Sequence, residues 1–488
     1  MRRHLLAAGA ITLLVSCSTL GPTVTPERQL VVDAAEAMGG RARIDALQAL
    51  QIEGDAEAPN IGQNIVPDGP LPMWLVTDYV RTIDLVNRRV LTRQVRTAQF
   101  PLASASVVRQ RQGLDGDVAY NVGNDEAATR VGEQEARDRR VELLHHPVTL
   151  VRAALDPAAA VTALRQEGAN DVVDVRTPAG DVLTLAVDRT TRLPAHATSM
   201  VAHANLGDAA MVTVFSAYQD VSGVRLPARL TTTLDKYPQF DLRVSRQAVD
   251  VNSTSLAAPA SVTSAAAPVR PAIAVTVEQV SPGIWWLAGS GNHRSIVFEF
   301  ADHLTLLEVP LNEARSKAVI DAARRLSSKP LTHAVVTHHH FDHSGGLRVA
   351  VAEGLTIITY RGNGAFFKAL VARPHTIAPD ALASNPKPLV LELVDDMATL
   401  KDAAMEVQLY HLLDNPREGT NLFAYVPRDR MLVQADLYDS TWMRHLWGEN
   451  VLQNLAHRKL RIDRHVPVHG AMESFADMVK NIKTRTGR

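Results

Sequence analysis

The stretch Thr332–Gly346, THAVVTHHHFDHSGG, packs five histidines and one aspartate into fifteen residues. No other stretch constrains the fold as tightly. Ala334–Val336 is a short apolar, β-branched run of the kind that forms a buried strand. Ser344, Gly345 and Gly346 then allow a tight turn. Between them stands the spacing H-x-H-x-D-H, made by His338, His340, Asp342 and His343. Imidazole and carboxylate are the ligands zinc takes where no thiolate is at hand. In an extended loop, residues two apart project to the same side, so His338 and His340 are expected to share one ion. Asp342 and His343 then turn toward a second position. His339 lies between the ligands and should point away from them.

From Thr337 to Gly346 the chain fits T-H-x-H-x-D-H-x-G-G at every fixed position. This closely resembles the signature of the metallo-β-lactamase superfamily, and the resemblance extends over about residues 276–488. It implies an α/β fold, an αβ/βα sandwich with a metal site at the rim between two sheets. It also implies two further ligands. Asp436, after the strand-like run Met431–Ala435, matches the aspartate that bridges both metals. His469, in Pro467-Val468-His469-Gly470, matches the last ligand. One position departs from the pattern. The superfamily's third first-site histidine lies about nineteen residues before the bridging aspartate, and here that place holds Arg417. A guanidinium stays protonated and has no lone pair to give. His411 is the nearest alternative, but strand phase rather than loop freedom would aim it. The expected metal ligands are therefore His338, His340, Asp342, His343, Asp436 and His469. With Arg417 in place, the expectation is one tightly held ion at the second position, a second ion being optional. Zinc is expected, and iron or manganese also suit such a ligand set.

The N-terminus gives an address. Arg2 and Arg3 form a basic start, Leu5–Val15 is a short apolar run, and Leu14-Val15-Ser16-Cys17 resembles a bacterial lipobox. This implies a signal peptide over 1–16, a lipidated Cys17, and a protein anchored on the periplasmic face of the cell envelope, at the outer membrane given Ser18. Cys17 is the only cysteine, so no disulfide forms within the chain. After the first twenty positions no run of 18 apolar residues suggests a membrane helix. Lys and Arg number 51 against 52 Asp and Glu, which gives no electrostatic case for nucleic acid.

The 488 residues suffice for two or three domains. Residues 17–26 read as a tether. Glu27–Met38 has helical spacing and stops at Gly39-Gly40, and Arg43–Leu50 reads as a second short helix. From 51 to about 251 the pattern turns to short alternating runs, among them Val182–Val187, Ala210–Phe215, Arg229–Thr233 and Phe240–Val244. Leu143–Ala154 reads as one helix. The helix ending in Gly39-Gly40, the stretch from Leu47 to Gly54 and the run Tyr218–Pro227 resemble periplasmic lipoprotein-carrier half-barrels. That implies a mainly antiparallel β domain over 27–251, with an apolar concave face that serves either as a groove or as a plain spacer. Residues 252–274, rich in Ala, Pro and Ser, read as a semi-stiff linker. The hydrolase-like domain then covers 275–488.

The resemblance implies a metal-dependent hydrolase acting on an ester, lactone, amide or phosphoester of a small molecule. Asp342 would orient or deprotonate the attacking water, and Arg417 would hold a substrate carboxylate or phosphate. His293 is expected on a surface loop. Trp442, His445 and Trp447 are placed equally well in a cleft wall or in packing. The alternative is a non-catalytic binding lipoprotein with a degenerate metal site, which Arg417 favours and the remaining ligand set opposes.

Overall fold

The computed structural model describes residues 24–100, 107–269, 272–289, 291–442 and 444–485. The expected signal segment and Cys17 lie outside the described residues. No helix among them is long and apolar enough to cross a membrane.

The chain enters through the helix Pro26–Ala37. The Thr25 hydroxyl accepts from Arg28 N at its start, and proline at the first position is preset for a helix. It stops before Gly39 and Gly40, whose φ values are +127° and +104°. A Cβ on Gly39 would also lie 2.2 Å from the Gly223 carbonyl, so two reasons hold glycine there.

Residues 49–249 supply thirteen strands to one antiparallel sheet. Ala49–Pro59 and Tyr237–Val249 pair at its middle, and the chain runs outward to Ala128–Arg130 on one side and Ala160–Glu167 on the other. Period-2 burial places Leu50, Ile52, Ala56 and Ala58 of Ala49–Pro59 on one face. That apolar face is covered by Pro26–Ala37, Glu133–Leu144 and Pro147–Leu155, with Leu30, Val31, Leu143, Val148 and Leu150 in one shared core. Fully burying each such side chain stabilises the fold by about 1.5–3 kcal/mol.

Two local expectations are corrected. The single helix read over Leu143–Ala154 is two helices, Glu133–Leu144 and Pro147–Leu155. Pro147 lacks the N–H that would continue the first helix, and it opens the second instead. The short helix read over Arg43–Leu50 covers only Arg41–Ala46, because Leu50 and Ile52 already alternate as part of a strand. The linker is also more ordered than its composition suggests. A turn at Thr254–Leu256 and a short helix at Ala260–Thr263 bury Leu256 and Val262. Ala258 N donates to the Asp115 carboxylate at 2.9 Å, which ties this stretch to the sheet.

From Val275 the chain builds two sheets. The first has seven strands from Val275–Ser281 to Leu391–Val394, antiparallel up to Leu304–Leu307 and parallel from there on. The second has six strands, from Met397–Lys401 to Glu473–Ser474. Their facing sides share a core of Ile296, Phe298, Val335, Ile358, Val407, Leu422, Val433 and Val466. Helices Glu313–Arg324, Leu347–Ala352 and Gly364–Ala372 cover the outer face of the first sheet. Gly448–His457 and Phe475–Arg485 cover the second. This is the helix–sheet–sheet–helix sandwich that the motif implied.

The N-terminal sheet docks on this sandwich. Leu206, Leu234 and Tyr237 share an apolar cluster with Phe367 and Leu370. The Asp208 carboxylate accepts from Thr376 N at 2.8 Å and Ile377 N at 3.0 Å, and Arg373 pairs with Asp235. The segment between Ala49–Pro59 and Met73–Asp84 reaches further, to the histidine motif itself.

Candidate metal centre

The strand Leu331–Val335 delivers the motif to the rim of the sandwich, and its last residues form the one-turn helix Phe341–Ser344. His338 and His340 project together, with ring centroids 4.7 Å apart. Asp436 follows the strand Met431–Gln434 in a left-handed conformation, φ +63°. His469 follows the strand Arg464–Pro467. All six expected ligands thus converge from three separate strand ends.

Two groups result. The first joins His338, His340 and Asp436, and the second joins His293, Asp342, His343 and His469. Asp436 touches both. Its Oδ2 lies 3.6 Å from His338 Nε2 and 3.4 Å from His340 Nδ1. Its Oδ1 lies 2.8 Å from both His343 Nε2 and His469 Nε2. Asp342 Oδ2 stands 3.6 Å from His343 Nε2.

The partners of the histidines fix which nitrogen has a lone pair to give. His469 Nδ1 lies 2.6 Å from the Asn292 carbonyl, which only accepts, so Nδ1 carries the proton and Nε2 is free. His343 Nδ1 lies 2.8 Å from Glu308 Oε2, which acts in the same way. His340 Nε2 lies 2.9 Å from the Asn64 carbonyl, which frees Nδ1. In each case the freed nitrogen is the one facing Asp436.

The surrounding carboxylates make this a place that favours positive charge. Burial alone would lower the His340 pKa, but the Glu418 and Asp436 carboxylates outweigh it and raise it to about 9. Burial likewise opposes the charge on His343, and Asp436, Asp342 and Glu308 overcome it. Asp436 is held well below the usual carboxylate range against its burial, first by Arg417 and then by His343. Four carboxylates, Glu308, Asp342, Glu418 and Asp436, contact these imidazoles, while one guanidinium, Arg417, touches the centre. An excess of buried negative charge costs several kcal/mol per unpaired ion and calls for cations. His338 Nε2 and His340 Nδ1, both buried, also have no hydrogen-bond partner. A divalent metal fits this donor set.

Several side chains lie elsewhere than the sequence suggested. His293 is not a surface residue. Its Nε2 lies 3.2 Å from Asp342 Oδ2 and its ring is 4.5 Å from that of His469, so it joins the second group. The turn that carries it folds inward because Asn292 donates from Nδ2 to Asp439 at 2.7 Å. His411 is in neither group. It stacks on Tyr360 at 3.8 Å and its Nε2 faces the Gly419 carbonyl. His339 points away as expected, toward Thr420 Oγ1 at 3.0 Å, and it is buried. Arg417 sits in the centre, with Nη2 2.6 Å from Asp436 Oδ2 and its guanidinium 5.0 Å from the Trp447 ring. One end of its fork is therefore committed to Asp436 rather than open to a substrate anion. Trp442 packs edge-on to Trp447, and His445 is buried against Tyr438.

Three participants escaped the sequence reading. Glu308 follows the strand Leu304–Leu307 at φ +77°, a conformation uncommon for a non-glycine residue. The signal was an acid closing a run of buried apolar residues. Glu418, fully buried, lies with Oε1 2.6 Å from His340 Nε2 and Oε2 3.1 Å from His338 Nε2. Gln63, from the segment between the strands Ala49–Pro59 and Met73–Asp84, donates to Asp342 Oδ1 at 2.8 Å, and nothing local in the sequence marks it.

A search of curated proteins finds none that matches. Among solved structures, similar ones include a metallo-beta-lactamase from Pontibacter korlensis, at 15% identity and TM-score 0.36, covering 44% of this chain and 100% of that one. Another is the metallo-beta-lactamase FIM-1 from Pseudomonas aeruginosa in its mono-zinc form, at 14% identity and TM-score 0.35, covering 44% and 96%. A third is the stereoselective inverting sec-alkylsulfatase Pisa1 from a Pseudomonas species, at 16% identity and TM-score 0.33, covering 42% and 40%. Residues 294–402 match the family model described as the metallo-beta-lactamase superfamily. The histidine motif at the rim of the sandwich lies within that match.

Proposed function

We propose that the C-terminal domain is a metal-dependent hydrolase acting on a small molecule with an ester, lactone, amide or phosphoester bond. The observation that carries this reading is the convergence of His293, Asp342, His343 and His469, with Asp436 beside them and neighbouring donor atoms 2.8–3.6 Å apart. A divalent cation bound there supplies Lewis-acid polarisation and a water of lowered pKa. Zinc suits the donors best, since imidazole and carboxylate predominate.

The chain's own groups have distinct tasks. Asp342 presents Oδ2 to the centre while Gln63 holds Oδ1, so its position is fixed from two sides. It is the group placed to orient the attacking water and accept its proton. Arg417 holds Asp436 and adds a fixed positive charge beside the reacting bond, where negative charge grows. Asp342→Ala should abolish turnover across an esterase, lactonase, lactamase and phosphodiesterase panel while leaving the melting profile in place. Undiminished hydrolysis by that variant would sink the reading.

We further propose that the mature protein starts at a lipidated Cys17 and works at the envelope membrane. The support is the n-region, h-region and Leu14-Val15-Ser16-Cys17 order. Cys17→Ala should leave the membrane fraction or remain unprocessed, and a variant that fractionates like wild type refutes the address.

A further inference from the structure

We propose that the N-terminal half supplies a working part of the candidate centre, with Gln63 as the positioning residue that sets which oxygen of Asp342 faces it. The proposal rests on the metallo-hydrolase reading but goes beyond it. Gln63 stands 279 positions before Asp342, in the other half of the chain. The unit that does chemistry is then the two halves together, not residues 275–488 alone.

The first observation is the hydrogen bond itself. Gln63 Nε2 donates to Asp342 Oδ1 at 2.8 Å. An ionised carboxylate only accepts, so the amide atom facing it is the nitrogen. The other oxygen, Oδ2, lies 3.2 Å from His293 Nε2 and 3.6 Å from His343 Nε2. One oxygen is thus turned to the group of His293, His343 and His469, and the other is tied to an amide outside it. A carboxylate free to turn presents either oxygen, or both. The amide removes that freedom and, being neutral, leaves the carboxylate its full charge. A hydrogen bond to an ionised group is also stronger than one between neutral partners.

How the segment is held is the second observation. Asn60 N donates to Pro72 O at 2.8 Å and closes its base. Ile61 and Leu71 pack against the apolar cluster that includes Leu347, Phe366 and Phe367. Asp68 accepts from Lys236 Nζ and from the Tyr237 hydroxyl, each at 2.8 Å, so the N-terminal sheet braces the segment from its own side. Three successive residues then meet three residues of the motif. Gly62 O accepts from Phe341 N at 3.2 Å, Gln63 reaches Asp342, and Asn64 O lies 2.9 Å from His340 Nε2. The contacts on either side of Gln63 use its neighbours' backbone, whereas its own uses the side chain. Docking of the segment therefore survives a change at Gln63, and the bond to Asp342 does not.

The test uses the full chain loaded with zinc or with cobalt(II), with circular dichroism to verify folding. Gln63→Met and Gln63→Leu keep an apolar stem of similar bulk and lose the donor. Each should weaken zinc binding about tenfold or more, measured by competition with a chromophoric chelator. Each should also shift the visible absorption bands of the cobalt-loaded protein, which report how the ligands stand and which a mere strut would not move. Hydrogen exchange of residues 60–72 should stay as in wild type. Wild-type affinity or wild-type bands in a folded variant overturn the proposal and leave the hydrolase reading standing. Exchange that quickens along with the loss of affinity overturns it as well, and reduces Gln63 to a brace for its segment. A wild type that binds neither metal refutes both readings. Either variant decides if the other does not fold.

Discussion

Glu308 shows how far the candidate metal centre extends beyond the expected ligands. It is fully buried, its Oε2 receives His343 Nδ1, and its Oε1 accepts from Thr337 N at 3.1 Å. One carboxylate therefore ties the strand end at 304–307 to both ends of the histidine motif. It also makes His343 a stronger donor, since a carboxylate behind an imidazole raises the basicity of the far nitrogen. Glu308→Gln keeps the shape and removes the charge. It should weaken zinc binding by about 10–100-fold, as measured by competition with a chromophoric chelator. Affinity equal to wild type would reduce Glu308 to a strut for the turn. The candidate ligands were legible because ligand chemistry limits the residue types and the motif fixes their spacing. Glu308, Glu418 and His293 were not, because each reaches the centre through a fold-dependent turn rather than a local pattern. Counting back from Asp436 placed Arg417 correctly.

At the scale of elements, the segment between Ala49–Pro59 and Met73–Asp84 joins the two halves of the chain. It lies against the motif by backbone contacts: Phe341 N donates to Gly62 O at 3.2 Å, and Gly419 N to Ile65 O at 2.7 Å. Asn64 O meets His340, and Gln63 meets Asp342. Ile65 and Val66 remain 49% and 41% exposed, an apolar pair beside the centre. The sequence showed strands on either side but not this reach, because no short-range pattern encodes which distant loop a turn will meet. Gly62 is where it is most vulnerable. Its φ is +80°, and a Cβ there would fall 2.2 Å from the Phe341 ring. Gly62→Ala should lift the segment off the motif without touching a ligand. Hydrogen exchange of residues 60–72 should quicken by about tenfold or more, the effect of losing roughly 1.4 kcal/mol of local stability. Exchange unchanged from wild type would mean that Phe341 yields instead.

Across the whole molecule, strand pattern and helix stops located most elements of both halves, while the partnership of the halves had to come from the structure. Runs such as Val182–Val187 and Phe240–Val244 sit inside longer strands, since edge residues with polar side chains still pair through their backbones. The junction between sheet and helices in the N-terminal half carries a pH dependence of its own. His145 and His146 join the two helices there and are 6% and 5% exposed. Burial lowers His145 to about 4, with Glu142 opposing and Arg81 adding to the effect. Burial, assisted by Arg81, lowers His146 to about 3. His145 rests between Thr213 Oγ1 and Ser199 Oγ, each at 2.9 Å. His146 Nδ1 accepts from Val148 N at 3.3 Å and caps the helix Pro147–Leu155, a bond that protonation at Nδ1 removes. Both imidazoles take up protons in the unfolded chain near pH 6.5 and resist them in the folded one. Stability is therefore full above about pH 6.5 and falls as pH drops toward the folded values, by on the order of 3 kcal/mol per histidine once titration is complete. Between pH 6.5 and 5 ordinary carboxylates stay ionised, so the histidines dominate that window. Asparagine keeps the capping acceptor and cannot titrate. In chelator, to remove any metal contribution, urea midpoints of wild type should fall on acidification from pH 6.5 to 5, and those of His146→Asn should fall less steeply, by about one proton's worth of slope. Parallel slopes for the two proteins would show that His146 is already solvated or protonated in the folded state.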